Sequence, residues 1–280
     1  MRPFATGMFC IALALSGTAC SVNILSVFAN KTSNEALFED AQTAINAGDY
    51  NGALAKIGLM TGSFTSTARV LELKASAQAG LCGFQFLPFV TAMGNMGATL
   101  LFPFLLKTFD AGALTNVDNC IAAQNTIESI GPMALRSTDE NFFLAMIAFA
   151  KIGNILSFYT DVGQTGSVSG NGYDPCAVGG ARTAGQPMTD ADAREVGTGI
   201  SLAVSNLAAV ASQVNLGSGS LASINSVCSA LPAGTDFCAV TDPVALTPNE
   251  VLGIRTLIKE SVVVGLGTNC AGDVITCHCP

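Results

Sequence analysis

The chain has 280 residues, a formal charge of −8 and no tryptophan, and only 11% of its residues are charged, against ~25% in an average soluble domain. Phosphate surfaces are bound by clustered Lys and Arg; the twelve here are scattered, which excludes nucleic acid and anionic lipid surfaces as partners.

Residues 1–19 are short, apolar and carry Arg2 as their one charge, with Phe9 to Leu15 the most apolar part and Gly17-Thr18-Ala19 small. That is the pattern of a secretory signal peptide. The segment Leu15-Ser16-Gly17-Thr18-Ala19-Cys20 resembles the lipobox of bacterial lipoproteins, although Gly17 stands where that family usually has Leu. The resemblance implies cleavage before Cys20, acylation of Cys20, and, with Ser21 next, sorting to the outer membrane. Cleavage after Ala29, within Val27-Phe28-Ala29, is the alternative. Residues 20–33 then read as a tether, and residues 34–280 as a single all-helical domain of about 250 residues, long enough for a sizeable core.

From Asn34 to Ala47, Leu37, Phe38, Ala41, Ala44 and Ile45 follow the i, i+3, i+4, i+7, i+8 spacing of an amphipathic helix. Gly48-Asp49-Tyr50 predicts a turn, and Ala53, Leu54, Ile57 and Met60 a second helix. A third begins at a cap on Ser66 or Thr67 and ends near Gly80. The helix, Gly-Asp-Tyr turn, helix order resembles a tetratricopeptide repeat, with Leu37 at the early bulky position and Ala41 and Ala53 at the small positions. A shift of 34 residues carries Leu37 to Leu71 and Ala41 to Ala75. The resemblance covers residues 34–80. It implies an array of antiparallel helices that binds a protein or peptide on a surface including Leu37, Ala41 and Tyr50.

Ala75 to Leu106 carries no charge and is long enough to cross a bilayer, but Pro88, Gly94, Gly97 and Pro103 divide it. It is expected to form buried core helices, with Phe84, Phe86, Phe89 and Phe102 available to line an apolar pocket or groove. Further helices are expected over Cys120–Ile130, from a Ser137 or Thr138 cap to about Tyr159, from a Thr189 cap to about Val214, over Leu221–Leu231, and from Pro248 through Val262. The segment 137–159 is apolar on most faces and so reads as central. Gly163 to Pro187 is glycine-rich and reads as a loop; residues 266–280 form a Cys-rich tail. Alternating strand patterns are lacking, so the fold class is all-α.

Cys10 lies in the signal and Cys20 is the lipidation candidate, leaving Cys82, Cys120, Cys176, Cys228, Cys238, Cys270, Cys277 and Cys279. An even count in an exported chain predicts disulfides, with connectivity open. Cys228 and Cys238 could close a small loop, and Cys82 with Cys120 could staple an apolar segment. Cys277-His278-Cys279 is too compressed for one metal ion, so no metal and no other cofactor is expected. His278, the only histidine, argues against a Ser-His-Asp or Cys-His centre. Ser167 and Ser169 lack the Gly-x-Ser-x-Gly order. Asp161 and Asp174 lack the spacing of a calcium loop. Asp190, Asp192 and Glu195 read as a solvated helix N-terminus. The expected function is a non-enzymatic, lipid-anchored scaffold or adaptor in the cell envelope; the alternative is an exported carrier of a small apolar ligand or lipid.

Overall fold

The computed structural model describes residues 32–109, 114–169, 173–211, 227–228 and 231–280. The signal segment, Cys20 and the cleavage site after Ala29 lie outside these residues. So do most of the expected helix Leu221–Leu231 and the region around Val214. Among the described residues the protein is all-helical and contains no strand. Nine α-helices occur among them: α1 (Asn34–Asn46), α2 (Tyr50–Gly58), α3 (Ala68–Leu81), α4 (Phe86–Gly94), α5 (Leu101–Thr108), α6 (Leu114–Glu128), α7 (Thr138–Thr160), α8 (Asp190–Val210) and α9 (Pro248–Lys259).

Local chemistry explains most boundaries. Ser33 and Asp49 cap α1 and α2 through their side chains. Gly48, at φ +77°, supplies the left-handed turn between them. Ser137 and Thr247 form reciprocal capping boxes with Glu140 and Glu250. Pro88 and Pro103 lie in the first turns of α4 and α5, where a missing N–H costs no helical hydrogen bond. α6 starts six residues earlier than the sequence suggested.

α9 ends at Lys259, before the expected Val262. The cause is Glu260. Its carboxylate is fully buried and accepts the N–H groups of Val262, Val263, Val264 and Gly265. Those N–H groups turn around a side chain instead of continuing the helix.

The main core is built around α7, which packs against α5, α6 and α8, while α9 covers α8. α7 is long and apolar enough to cross a membrane, but 83% of its most apolar window is buried inside the protein. Enclosure by neighbouring helices accounts for its all-round apolarity. Small residues permit close approach: a Cβ on Gly199 would press on Ile152 of α7, and one on Gly197 would overlap Ile254 of α9.

A smaller cluster joins Leu37, Ala41, Ala53, Ile57, Val70, Leu73 and Ala77 from α1, α2 and α3 with Met60 from the segment after α2. α3 is shared. Val70, Leu73 and Ala77 face this cluster, whereas Ala75 and Ala79 face the main core. α3 also packs along α6.

All eight cysteines expected to pair do so: Cys82–Cys120, Cys176–Cys279, Cys228–Cys238 and Cys270–Cys277, with Cα separations of 5.0–5.8 Å. The first ties α3 to α6 and is held against α7 by Asn154, whose buried amide donates to the Cys82 carbonyl at 3.0 Å. The second ties the Cys-rich tail to the loop before α8. Four disulfides fit an exported, oxidising compartment.

Candidate functional site

A cleft of about 610 Å³ lies between α4 and α5, within the usual range of ligand pockets, roughly 300–1,000 Å³. One face of α4 supplies Pro88, Phe89 and Ala92, between its caps Gln85 and Asn95 and followed by Met96 and Thr99. Phe104, Lys107 and Thr108 of α5, with Phe109, form the opposite wall. The wall is closely packed where it is aromatic. Phe89 meets Phe84, Phe104, Phe109 and Phe149 at centroid distances of 5.5–6.3 Å. Behind the wall, Gly153 of α7 lets Phe109 approach, since a Cβ there would overlap the ring. Lys107 is the only charged lining residue among the described residues and is exposed.

The four phenylalanines singled out from sequence divide by position. Phe89 forms the cleft wall. Phe84 and Phe102 are buried at 4% and 0% exposure and support the core rather than line the cleft. Phe86 is 39% exposed and lies edge-on to Phe142, outside the cleft. Phe104, Phe109 and Met96, which sequence reasoning did not select as site residues, complete the lining. Their signal was the apolar run itself, which does not distinguish a cavity wall from solid core.

Leu37 and Ala41 do not present a partner surface. Both are buried, at 5% and 0%, because α1 turns that face onto α2 and α3. Tyr50 is half-buried against α3, where the bare Cα of Gly80 makes room for its ring. The exposed feature of this region is Arg69, which pairs with Glu35 and lies 4.8 Å from the Phe38 ring and 4.6 Å from the Phe64 ring.

The acidic start of α8 is not a solvated helix end. Asp190 pairs with Arg255 at 2.8 Å. Asp192 is buried; it accepts from Tyr159 Oη at 2.6 Å and from the Arg182 guanidinium, which also reaches Asp118. Burial, reinforced by the Asp192 carboxylate, pushes the Tyr159 hydroxyl up to about 12, so it stays protonated. Glu195 meets Lys151 at 2.7 Å. Burial lowers the Lys151 pKa, and Glu195 opposes that shift.

Each of these acids therefore has a structural partner on another element. Asp161 likewise holds its own loop, accepting from Thr165 N, Gly166 N and Ser169 Oγ. Burial alone would raise its pKa, but these donors bring it below the ordinary carboxylate value. Ser169 is thus a loop support, not a nucleophile beside a base. No three His, Cys, Asp or Glu side chains group as metal ligands among the described residues.

No family model, curated protein or solved structure matches this chain. Its own fold defines it as an all-helical, disulfide-bridged protein with an apolar cleft between α4 and α5.

Proposed function

We propose that this chain is a non-enzymatic exported binding protein that carries a small apolar or amphipathic ligand in the cleft between α4 and α5. The observation that supports the reading is the pairing of two helix faces, aromatic and nearly free of charge, across a cavity large enough for such a ligand. Burying apolar ligand surface there contributes about 0.8 kcal/mol per methylene. Lys107 at the wall suits a ligand with a polar or anionic end. Native mass spectrometry of the protein purified from its source tests this reading: a co-purified ligand is expected, lost in Ala92→Trp, which fills the cleft from its α4 wall. Wild-type protein of bare polypeptide mass that also fails to bind an apolar fluorescent probe overturns it.

A second reading is a lipid-anchored envelope scaffold with a tetratricopeptide-like partner surface on α1–α3. It is favoured by the helix crossing, where Ala41 and Ala53 are both fully buried. The partner would then meet the outer face, including Leu59 at 63% exposure, and not Leu37 or Ala41. Envelope crosslinking should recover a partner that Leu59→Glu loses. The intact mass of the mature chain tests the anchor: a start at acylated Cys20 supports it, and an unmodified start at Asn30 removes it.

A further inference from the structure

The cleft between α4 and α5 is asymmetric in charge. Among the described residues no carboxylate lines it, and Lys107 is its single cation. The Lys107 ammonium has no ion-pair or hydrogen-bond partner among the described residues. Two other polar groups of the lining spend donors on their own helices: Thr108 Oγ1 donates to Phe104 O at 2.8 Å, and Asn95 Nδ2 donates to Thr91 O at 2.9 Å. Lys107 is thus the one charged donor that the cleft offers to a ligand.

The root of this lysine is packed from outside the cleft. Asp161, at the end of α7, accepts from Gly166 N at 2.6 Å and so shapes the loop that follows. A Cβ on Gly166 would lie 3.2–3.5 Å from Lys107 Cγ, Cα and Cβ, so the loop backbone rests on the lysine stem. Asp161 does not neutralise the ammonium: both its oxygens accept from loop donors, and it forms no ion pair with Lys107. A stem held at its root loses less rotamer freedom when its ammonium pairs. An aromatic wall beside one unpaired cation discriminates by head group. A carboxylate gains a charge-assisted hydrogen bond, an alcohol only a neutral one. An alkylammonium meets a like charge, and a zwitterionic head finds no carboxylate for its cationic part. Taking the cleft as a carrier site, we propose that it selects a single-chain amphiphile with a carboxylate head, of the fatty-acid class, with its chain against Phe89, Phe104 and Phe109 and its carboxylate at Lys107. The overall charge of −8 repels such an anion, so the preference is local to Lys107.

Displacement of N-phenyl-1-naphthylamine, a neutral apolar fluorescent probe, from the purified full-length mature protein tests it. The competitors are dodecanoate, dodecanol and dodecylamine, below their micellar concentrations and at about pH 8, where the acid and the amine are both ionised. Dodecanoate is expected to act at about fivefold lower concentration than dodecanol, the scale of a charge-assisted bond at a partly exposed site, and dodecylamine at higher concentration than either. Lys107→Gln should bring the ratio of dodecanoate to dodecanol to about one, and Lys107→Glu should reverse the order of dodecanoate and dodecylamine. A ratio measured on one protein is insensitive to partial loss of fold. A probe that binds and is displaced as readily by dodecanol as by dodecanoate, or a preference that survives Lys107→Gln, overturns the head-group assignment while the carrier reading stands. Absence of probe binding overturns both.

Discussion

Lys151 Nζ lies 2.7 Å from Glu195 Oε2, with the lysine side chain fully buried and the glutamate side chain 17% exposed. Breaking this pair is asymmetric. Glu195→Gln strands an ammonium whose next partner is Thr198 Oγ1 at 3.4 Å, a loss of about 3–5 kcal/mol. Lys151→Met leaves a carboxylate on a side chain that is 17% exposed and so open to hydration, a loss of roughly 1–3 kcal/mol. Urea unfolding should rank Glu195→Gln as the more destabilised; the reverse order would refute this account.

Arg255 holds the loop before α8. Its guanidinium donates to the carbonyls of Pro175, Ala177 and Met188 at 2.9 Å and to Asp190 at 2.8 Å. A lysine has one nitrogen and cannot serve four diverging acceptors. Arg255→Lys should lose about 3 kcal/mol or more. Amide exchange within residues 173–189 should rise first.

Glu72 of α3 lines a small cavity with Asp139 and Glu140 at the start of α7. Desolvation, then Glu140, raises its pKa above the ordinary 4.5. The folded state therefore holds this proton more tightly than the unfolded state. The resulting stabilisation is full below 4.5 and is lost as pH rises through the folded value. Glu72→Gln should raise the urea midpoint at about pH 7, and the gain over wild type should vanish by about pH 4. A pH-independent difference would disprove the linkage.

Cys176–Cys279 spans 103 residues and Cys270–Cys277 only 7. Chain entropy assigns them about 5 and about 2.5 kcal/mol respectively. Paired serine substitutions should reproduce that order in thermal unfolding. Equal losses would mean that native-state contacts of the tail outweigh loop closure.

Gly80 and Tyr50 join α3 to the start of α2, and a Cβ on Gly80 would fall within the tyrosine ring. Gly80→Val should destabilise by roughly 1–3 kcal/mol through overpacking. Adding Tyr50→Ala should recover part of the loss, since it removes the clashing ring. No recovery in the double variant would place the strain elsewhere.

Sequence alone determined what depends on local chemistry: the all-α class, a helix start at Ser137 or Thr138 and another at Thr189, the central position of α7, and that the eight cysteines pair, though not with which partner. These follow from periodicity, from orphan N–H groups that need an acceptor, and from thiol parity, none of which requires knowing where another helix lies. Tertiary structure decided the rest. Whether Leu37 and Ala41 face a partner or a neighbour, whether Phe89 lines a cavity while Phe102 fills core, and whether Asp192 is solvated or clamped by Arg182 and Tyr159 are questions of placement. The reason is that a helical pattern specifies which residues share a face. Only contact with another element specifies what that face meets, and Lys151, a charge buried in the central helix, has its partner Glu195 44 residues away.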